Sequence, residues 1–334
     1  MQNSGARKGV GVMTRIAYAL LIAGLFSTTA SAADMALKAP AGPAAPAPPV
    51  WDVAIIGALM SDYNFRGITQ SNHRPSAAVG FEPRYNINPN LQAYAGISGE
   101  SIDFPNRAAA EIDLYGGIRP TFGKLALDGG FWYYYYPDGQ CFNTAALCGG
   151  SSGFVPLPNG NVIKQNLSFY EFYGKGTYTV NDNFNFGGSI WGSPSVLNSG
   201  AYGIYYTGNV TFVAPSTWLM NGIGASLSAD IGYWQLGTAG AFYAVPAFPG
   251  GVPYPSYLTW DVGLTFAWKA FALDLRYYDT NLTKAQCNVF TSDQTAAFSA
   301  GSVTPQNPGG QASGWCGASF IAKLSIATSI NAIK

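Results

Sequence analysis

Few side chains in this chain are equipped for chemistry. Its one histidine, His73, has Ser71 and Ser76 as near neighbours. Acyl transfer by serine needs a base to take the hydroxyl proton, and histidine usually serves. Closeness in sequence does not create that geometry, so the trio reads as an ordinary polar loop and no enzyme is expected. The four cysteines fall into two pairs, Cys141 with Cys148 and Cys287 with Cys316, each within one polar segment. Zinc would need a different ligand spacing, and no histidine lies nearby. Each pair is therefore expected to form a disulfide that closes its own loop, as suits an exported chain. No metal and no cofactor is expected.

The remaining chemistry lies in charges that recur at every second position. Tyr257–Thr280 sets the pattern: Trp260, Val262, Leu264, Phe266 and Trp268 share one parity, and after a tight turn at Lys269-Ala270 so do Phe271, Leu273, Leu275 and Tyr277. Asp261, Asp274 and Arg276 take the other parity. Alternate side chains of a strand point to opposite faces. A continuous aromatic-rich face backed by small and charged residues is what a transmembrane β-barrel requires, apolar outside and polar inside. The inward parity of the whole chain collects Glu82, Arg84, Glu111, Asp113, Arg119, Asp128, Glu171, Lys175, Asp230, Asp261, Asp274, Arg276 and Lys323, eight acids and five bases. In hydrocarbon each would be costly, so they belong in a wet or mutually paired interior.

Composition supports one such domain. Aromatics make up 15% of the chain and charged residues 10%, with 41 glycines, which favours strands over membrane helices. Residues 1–32 read as a signal peptide, with Arg7, Lys8 and Arg15 ahead of the apolar run Ile16–Phe26 and an Ala30-Ser31-Ala32 cleavage site. Residues 33–50 form an Ala/Pro-rich lead-in, and 51–334 the barrel. Removing the signal leaves 17 − 3 = 14 basic against 17 acidic residues, and no basic patch suits nucleic acid.

About twelve antiparallel strands are expected: Val53–Leu59, Ala77–Ile87, Leu91–Ser101, Ala110–Arg119, Leu125–Tyr136, Phe169–Val180, Phe184–Trp191, Ala201–Val213, Gly224–Trp234, the two arms of Tyr257–Thr280, and Ser319–Ile330. Long polar connections alternate with short ones, the asymmetry of outer loops and periplasmic turns. Both cysteine pairs fall in the two longest connections, on the outer side.

At Ser61–Ser71 the chain reads SDYNFRGITQS, and the later blocks AEIDLYGGIRPTF, YEFYGKGTYTV and DVGLTFAWKAFALDLRYYDTN follow. These stretches resemble the TorF family of porins, the domain designated Gcw_chp, over nearly all of Trp51–Ile330. The resemblance implies a bacterial outer-membrane barrel acting as a passive pore. At its C-terminus, SINAIK, the chain departs from the aromatic ending read by the barrel-insertion machinery.

The expected function is passive diffusion of small hydrophilic solutes, with a weak cation preference from the acid excess. The expected partners are outer-membrane lipid, the insertion machinery and those solutes. Oligomeric state is not readable. The alternatives are a closed or plugged barrel working through its loops as a receptor or adhesin, and, last, a lipid-acting barrel enzyme. Asp62, Arg66, Gly67 and Gln70 would mark the pore mouth, either contacting solute or forming a turn at Gly67. Trp132–Tyr136, Tyr233-Trp234, Trp260 and Trp268 would form interfacial girdles. The three longest loops would either fold inward or form the outer surface.

Overall fold

A computed structural model describes residues 49–150, 157–219 and 222–333. The signal-peptide segment and nearly all of the lead-in lie outside the described residues.

The alternating segments form twelve long strands: β1 (Trp51–Met60), β4 (Ser76–Asn88), β5 (Leu91–Glu100), β6 (Glu111–Phe122), β7 (Leu125–Tyr135), β8 (Phe169–Thr179), β9 (Phe184–Ser193), β10 (Gly203–Val213), β11 (Ile223–Leu236), β12 (Tyr257–Trp268), β13 (Phe271–Thr280) and β16 (Ser319–Ser329). Each pairs antiparallel with its neighbours, and β1 pairs with both β4 and β16, closing the barrel. Closure leaves no sheet edge with unpaired backbone groups, a condition for crossing hydrocarbon with strands. The strand boundaries read from alternation agree to within a few residues.

Parity sets the two faces. Val79, Phe81, Leu114, Phe131, Phe172, Ile190, Ile231, Val262, Leu264 and Leu324 are exposed on the outside. Such a continuous apolar belt would be untenable against water and is at home against lipid. Among the described residues no helix is long and apolar enough to cross a membrane.

The remaining elements gather at the long-loop end. A two-residue hairpin, β2 (Asn64–Phe65) with β3 (Ile68–Thr69), follows β1. The loop between β13 and β16 holds a helix, α1 (Lys284–Thr291), and a small ribbon of β14 (Ala297–Phe298) with β15 (Gln311–Ala312). Thr283 starts α1 with a capping box, accepting from the Gln286 backbone while the Gln286 side chain accepts from its own. Both expected disulfides form, Cys141–Cys148 and Cys287–Cys316.

The long loops do not stand away from the barrel. Leu157, Ile163, Tyr243, Val252, Tyr254, Phe290 and Trp315 are buried in one cluster with the inward-facing Trp234 and Tyr257 of the wall. Phe290 of α1 meets Trp234 edge-on at 5.3 Å and Tyr254 at 5.1 Å. Of the two loop arrangements left open by the sequence, the described loop residues in this cluster adopt the inward one.

Candidate functional site

The site is built around SDYNFRGITQS. In the turn Phe65-Arg66-Gly67-Ile68 both central residues have positive φ, 52° at Arg66 and 79° at Gly67. That is the left-handed pair a two-residue hairpin turn demands, and it suits glycine better than arginine. A Cβ on Gly67 would also run into the Thr280 methyl. The Gly67 amide donates to the Asn64 side chain at 2.9 Å, which closes the turn from within.

This hairpin points into the barrel and crosses it. Tyr63 at its base donates to Glu111 on β6 at 2.7 Å. Phe65 meets Tyr134 and Trp234 edge-on. The Arg66 guanidinium makes two parallel hydrogen bonds to Glu171 on β8, at 2.9 and 2.7 Å, with both side chains fully buried. Its carbon lies 4.4 Å from the Tyr205 ring centre and 4.3 Å from that of Trp234, so aromatic faces share the cation with the carboxylate. Tyr257 donates to the Arg66 carbonyl at 3.1 Å.

The lumen is filled at the level of the hairpin, where Arg66 and Glu171 are fully buried. Around the barrel near the level of Glu171, stepping along the ladder where the strands stagger, one inward side chain from each strand is Ala58, Ala78, Ser98, Asp113, Trp132, Glu171, Trp191, Tyr205, Trp234, Thr259, Tyr278 and Ile321. None of the twelve is more than 8% exposed. A water-filled passage would leave wall side chains wet, and here none is.

The residues expected at a pore mouth are all buried in the structure. Arg66 is fully buried against the wall near the long-loop end of the barrel, and Gly67 is packed beside it against Thr280. Asp62 is buried at the base of the hairpin on the long-loop side, where it accepts from Thr69, Ser71 and His73. Gln70 turns back to donate to the Ile68 carbonyl at 3.0 Å. The girdle expectation is corrected as well. Trp132, Tyr134, Tyr136 and Trp234 are buried inside, while Tyr135, Tyr233, Trp260 and Trp268 are exposed on the outside. Parity was the available signal, since Trp132 and Tyr134 alternate with the outward Phe131 and Tyr133. Small inward residues make room for these rings, as at Gly96 against Tyr115 and Gly232 against Tyr205.

All thirteen inward charges face the lumen, in separate groups. Glu82 takes Arg84 at 2.6 Å and Arg119 at 2.8 Å, and Arg119 also reaches Asp128 at 3.3 Å and covers the Tyr94 ring. Tyr94 and Tyr173 share a hydrogen bond beside Asp128. Lys175 lies over Tyr173 and Trp191 at 4.7 Å. On the opposite wall Arg276 binds Asp261 at 2.5 Å and Asp274 at 3.1 Å, with Asp230 at 4.0 Å. Lys323 is directly across from Asp274. Glu171 holds the hairpin, and Glu111 and Asp113 stand with Glu100 near the long-loop end. Arg84, Arg119, Asp128 and Asp274 keep partial exposure toward the short-turn end.

His73 is held from both sides. Nδ1 meets Asp62 at 2.9 Å and Nε2 meets the Gly314 carbonyl at 2.9 Å. Two acceptors call for a proton on each nitrogen. The hydrogen bond to Asp62 raises the His73 pKa above its ordinary value. The single Ser71 hydroxyl proton has Asp62 at 2.9 Å and the Arg74 carbonyl at 2.7 Å as its acceptors, so it is not directed at the imidazole.

Above the hairpin lies a mostly apolar recess of about 520 Å³, part of it open to solvent. Phe65, Phe104, Leu167, Trp234, Phe290 and Trp315 are among the residues that line it.

No curated protein matches the chain. Among solved structures, the NanC porin is 9% identical with a TM-score of 0.40, covering 82% of this chain and 98% of that one. The COG4313 outer membrane channel from Pseudomonas putida F1 is 8% identical with a TM-score of 0.41, covering 88% and 100%. LpxR from Salmonella typhimurium is 11% identical with a TM-score of 0.40, covering 82% and 99%. The resemblance carried by SDYNFRGITQS and the later strand blocks has its counterpart in a family profile that matches residues 43–303, and the chain belongs to that family, described as bacterial protein of unknown function (Gcw_chp).

Proposed function

We propose that this protein is a plugged channel of the bacterial outer membrane, closed at rest by its own hairpin and opened by displacement of that hairpin. The carrying observation is the Arg66–Glu171 pair, buried at the level where every strand's inward side chain is dry. The short turns then face the periplasm and the capped end faces outward. Below the hairpin the wall offers part-exposed Arg84, Arg119, Asp128 and Asp274, a surface suited to small hydrophilic solutes. The acids among them support a weak cation preference once the passage is open. The double engagement of His73 supports a transport reading over an enzymatic one.

Conductance across a planar bilayer tests this. The wild-type chain should be nearly silent, and a variant with Asn64–Thr69 replaced by a short Gly/Ser linker should give discrete steps. Large steady conductance of the wild type would overturn the plug. Silence of both, with the variant correctly folded, would overturn the channel and leave the outer cap as the working surface.

A further inference from the structure

Glu100 on β5 and Glu111 on β6 are directly opposite each other across the strand pair, and Asp113 is opposite Ser98 on the next inward rung. One carboxylate oxygen from each of the three acids lies within 4.8 Å of the other two, and all three residues are buried. Like charges opposed on one face of a sheet repel, and burial removes the water that would screen them.

A similar pairing occurs elsewhere in this barrel with a counter-charge beside it. Asp230 and Asp261 are also directly paired across strands, and Arg276 binds Asp261 and Asp274 and lies 4.0 Å from Asp230, whose own oxygens receive no hydrogen bond. Among the described residues no such cation serves the Glu100 group. The interior ion pairs of Arg66, Arg84, Arg119 and Arg276 all go to other acids. Glu111 receives the hydroxyls of Tyr63 and Tyr136 at 2.7 and 3.0 Å. Glu100 Oε2 and Asp113 Oδ1 are sealed from water and receive no well-formed hydrogen bond; the neutral donors beside the group are the Ser98 hydroxyl, 3.5 Å from Asp113 Oδ2, and the Trp132 indole NH. Buried carboxylate oxygens without donors are rare, and each calls for an explanation.

We propose that Glu100, Glu111 and Asp113 form a divalent-cation site that takes Ca²⁺. Three carboxylates, that of Glu111 held in place by two phenol hydroxyls, make an all-oxygen donor set. Calcium accepts such sets in irregular geometry, whereas magnesium demands a near-ideal octahedron and keeps its waters. A bound cation neutralises the opposed glutamates and gives the two orphaned oxygens a partner. It also fixes Glu111, which holds Tyr63 at the base of the hairpin. The inference stands on this cluster alone and does not depend on the barrel being a channel.

The test uses the full mature chain, refolded in detergent and stripped with EDTA. Calcium should bind with about one equivalent per chain and raise the apparent melting temperature, while equimolar magnesium does so at least tenfold less effectively. Tb³⁺ should show emission sensitised by Tyr63 and Tyr136. Asp113→Asn and Glu100→Gln should each weaken Ca²⁺ and Tb³⁺ binding at least tenfold. No calcium uptake by the wild type, with identical melting in calcium and EDTA, would overturn the site, because the carboxyls would then share protons instead. Variants that bind as tightly as the wild type would overturn it too. The wild-type comparison of calcium with EDTA decides the matter even where a variant fails to fold.

Discussion

Arg66 and Glu171 come from opposite ends of a long stretch of chain and meet in a two-pronged hydrogen-bonded pair with neither side chain exposed. The pair fastens the hairpin to the wall. Glu171→Gln leaves the guanidinium buried without its counter-charge, which costs about 3–5 kcal/mol for such pairs. The expected result is a lower unfolding midpoint in detergent, read by heat-modifiable gel mobility, together with transient conductance steps that the wild type lacks. An unchanged midpoint would show that the pair does not hold the hairpin.

Gly67 is the position where the turn tolerates no side chain. Its φ of 79° is left-handed, and a Cβ there meets the Thr280 methyl. Gly67→Ala should destabilise the seated hairpin by about 1–2 kcal/mol from the backbone conformation alone. Faster hydrogen exchange over Tyr63–Ser71, with the barrel strands still protected, is the expected signature. Gly123 also has a positive φ but open space around it, so Gly123→Ala should leave that exchange unchanged.

His73 ties the first outer loop to the last through Gly314, and it needs its proton to do so. Its pKa in the folded chain is raised, so the latch contributes fully below the ordinary histidine value of about 6.5 and fades as pH rises through the higher folded value. The ring is nearly half exposed, so solvent screening holds the contribution to about 1 kcal/mol or less. The difference in proteolytic susceptibility between wild type and His73→Gln should therefore be largest near pH 5 and small at pH 9. A difference that grows with pH would contradict the assignment.

The Cys287–Cys316 disulfide reaches the hairpin through its neighbours. Cys316 forms an isolated bridge with Ile68, and the Thr69 amide donates to the Trp315 carbonyl at 2.9 Å. Chain entropy for a loop of this length gives about 3–4 kcal/mol of restraint on the unfolded segment. Reduction should release the last outer loop to protease and raise the frequency of opening events, while the barrel keeps its folded gel mobility. Reduction of Cys141→Ser, which leaves only the second bridge to be reduced, should have the same effect.

Outward positions should answer to lipid. Leu264→Arg places a charge on the apolar belt and should cost about 2–4 kcal/mol if it lies near the bilayer midplane. Thr265→Arg on the neighbouring inward position, beside Asp274, should be milder. Unfolding titrations of the two variants in lipid vesicles compare them directly.

Alternation alone determined the barrel. Trp260, Val262 and Leu264, and Phe271, Leu273, Leu275 and Tyr277, share the outward face because every second residue of a strand shares a face, and the same rule placed all thirteen charges inside. Loop lengths and cysteine spacing located the capped end and both disulfides, since these are local properties of the chain. Parity even carried the inward direction of Trp132 and Tyr134, although their clustering with Tyr133 and Tyr135 pointed to a girdle.

The state of the lumen was a different matter. Whether Arg66 meets solute or Glu171 depends on a contact 105 residues away, and no local pattern encodes it. The positive φ at Arg66 is a strained choice that only the surrounding carboxylate and aromatic rings make favourable. The same holds for Glu100, Glu111 and Asp113. Sequence placed two of them on the inward parity, but their mutual approach and the lack of a counter-charge arise only when β5 and β6 pair in register. A strand's faces follow from its own residues; what fills the space it encloses follows from all twelve strands together and the hairpin they close upon.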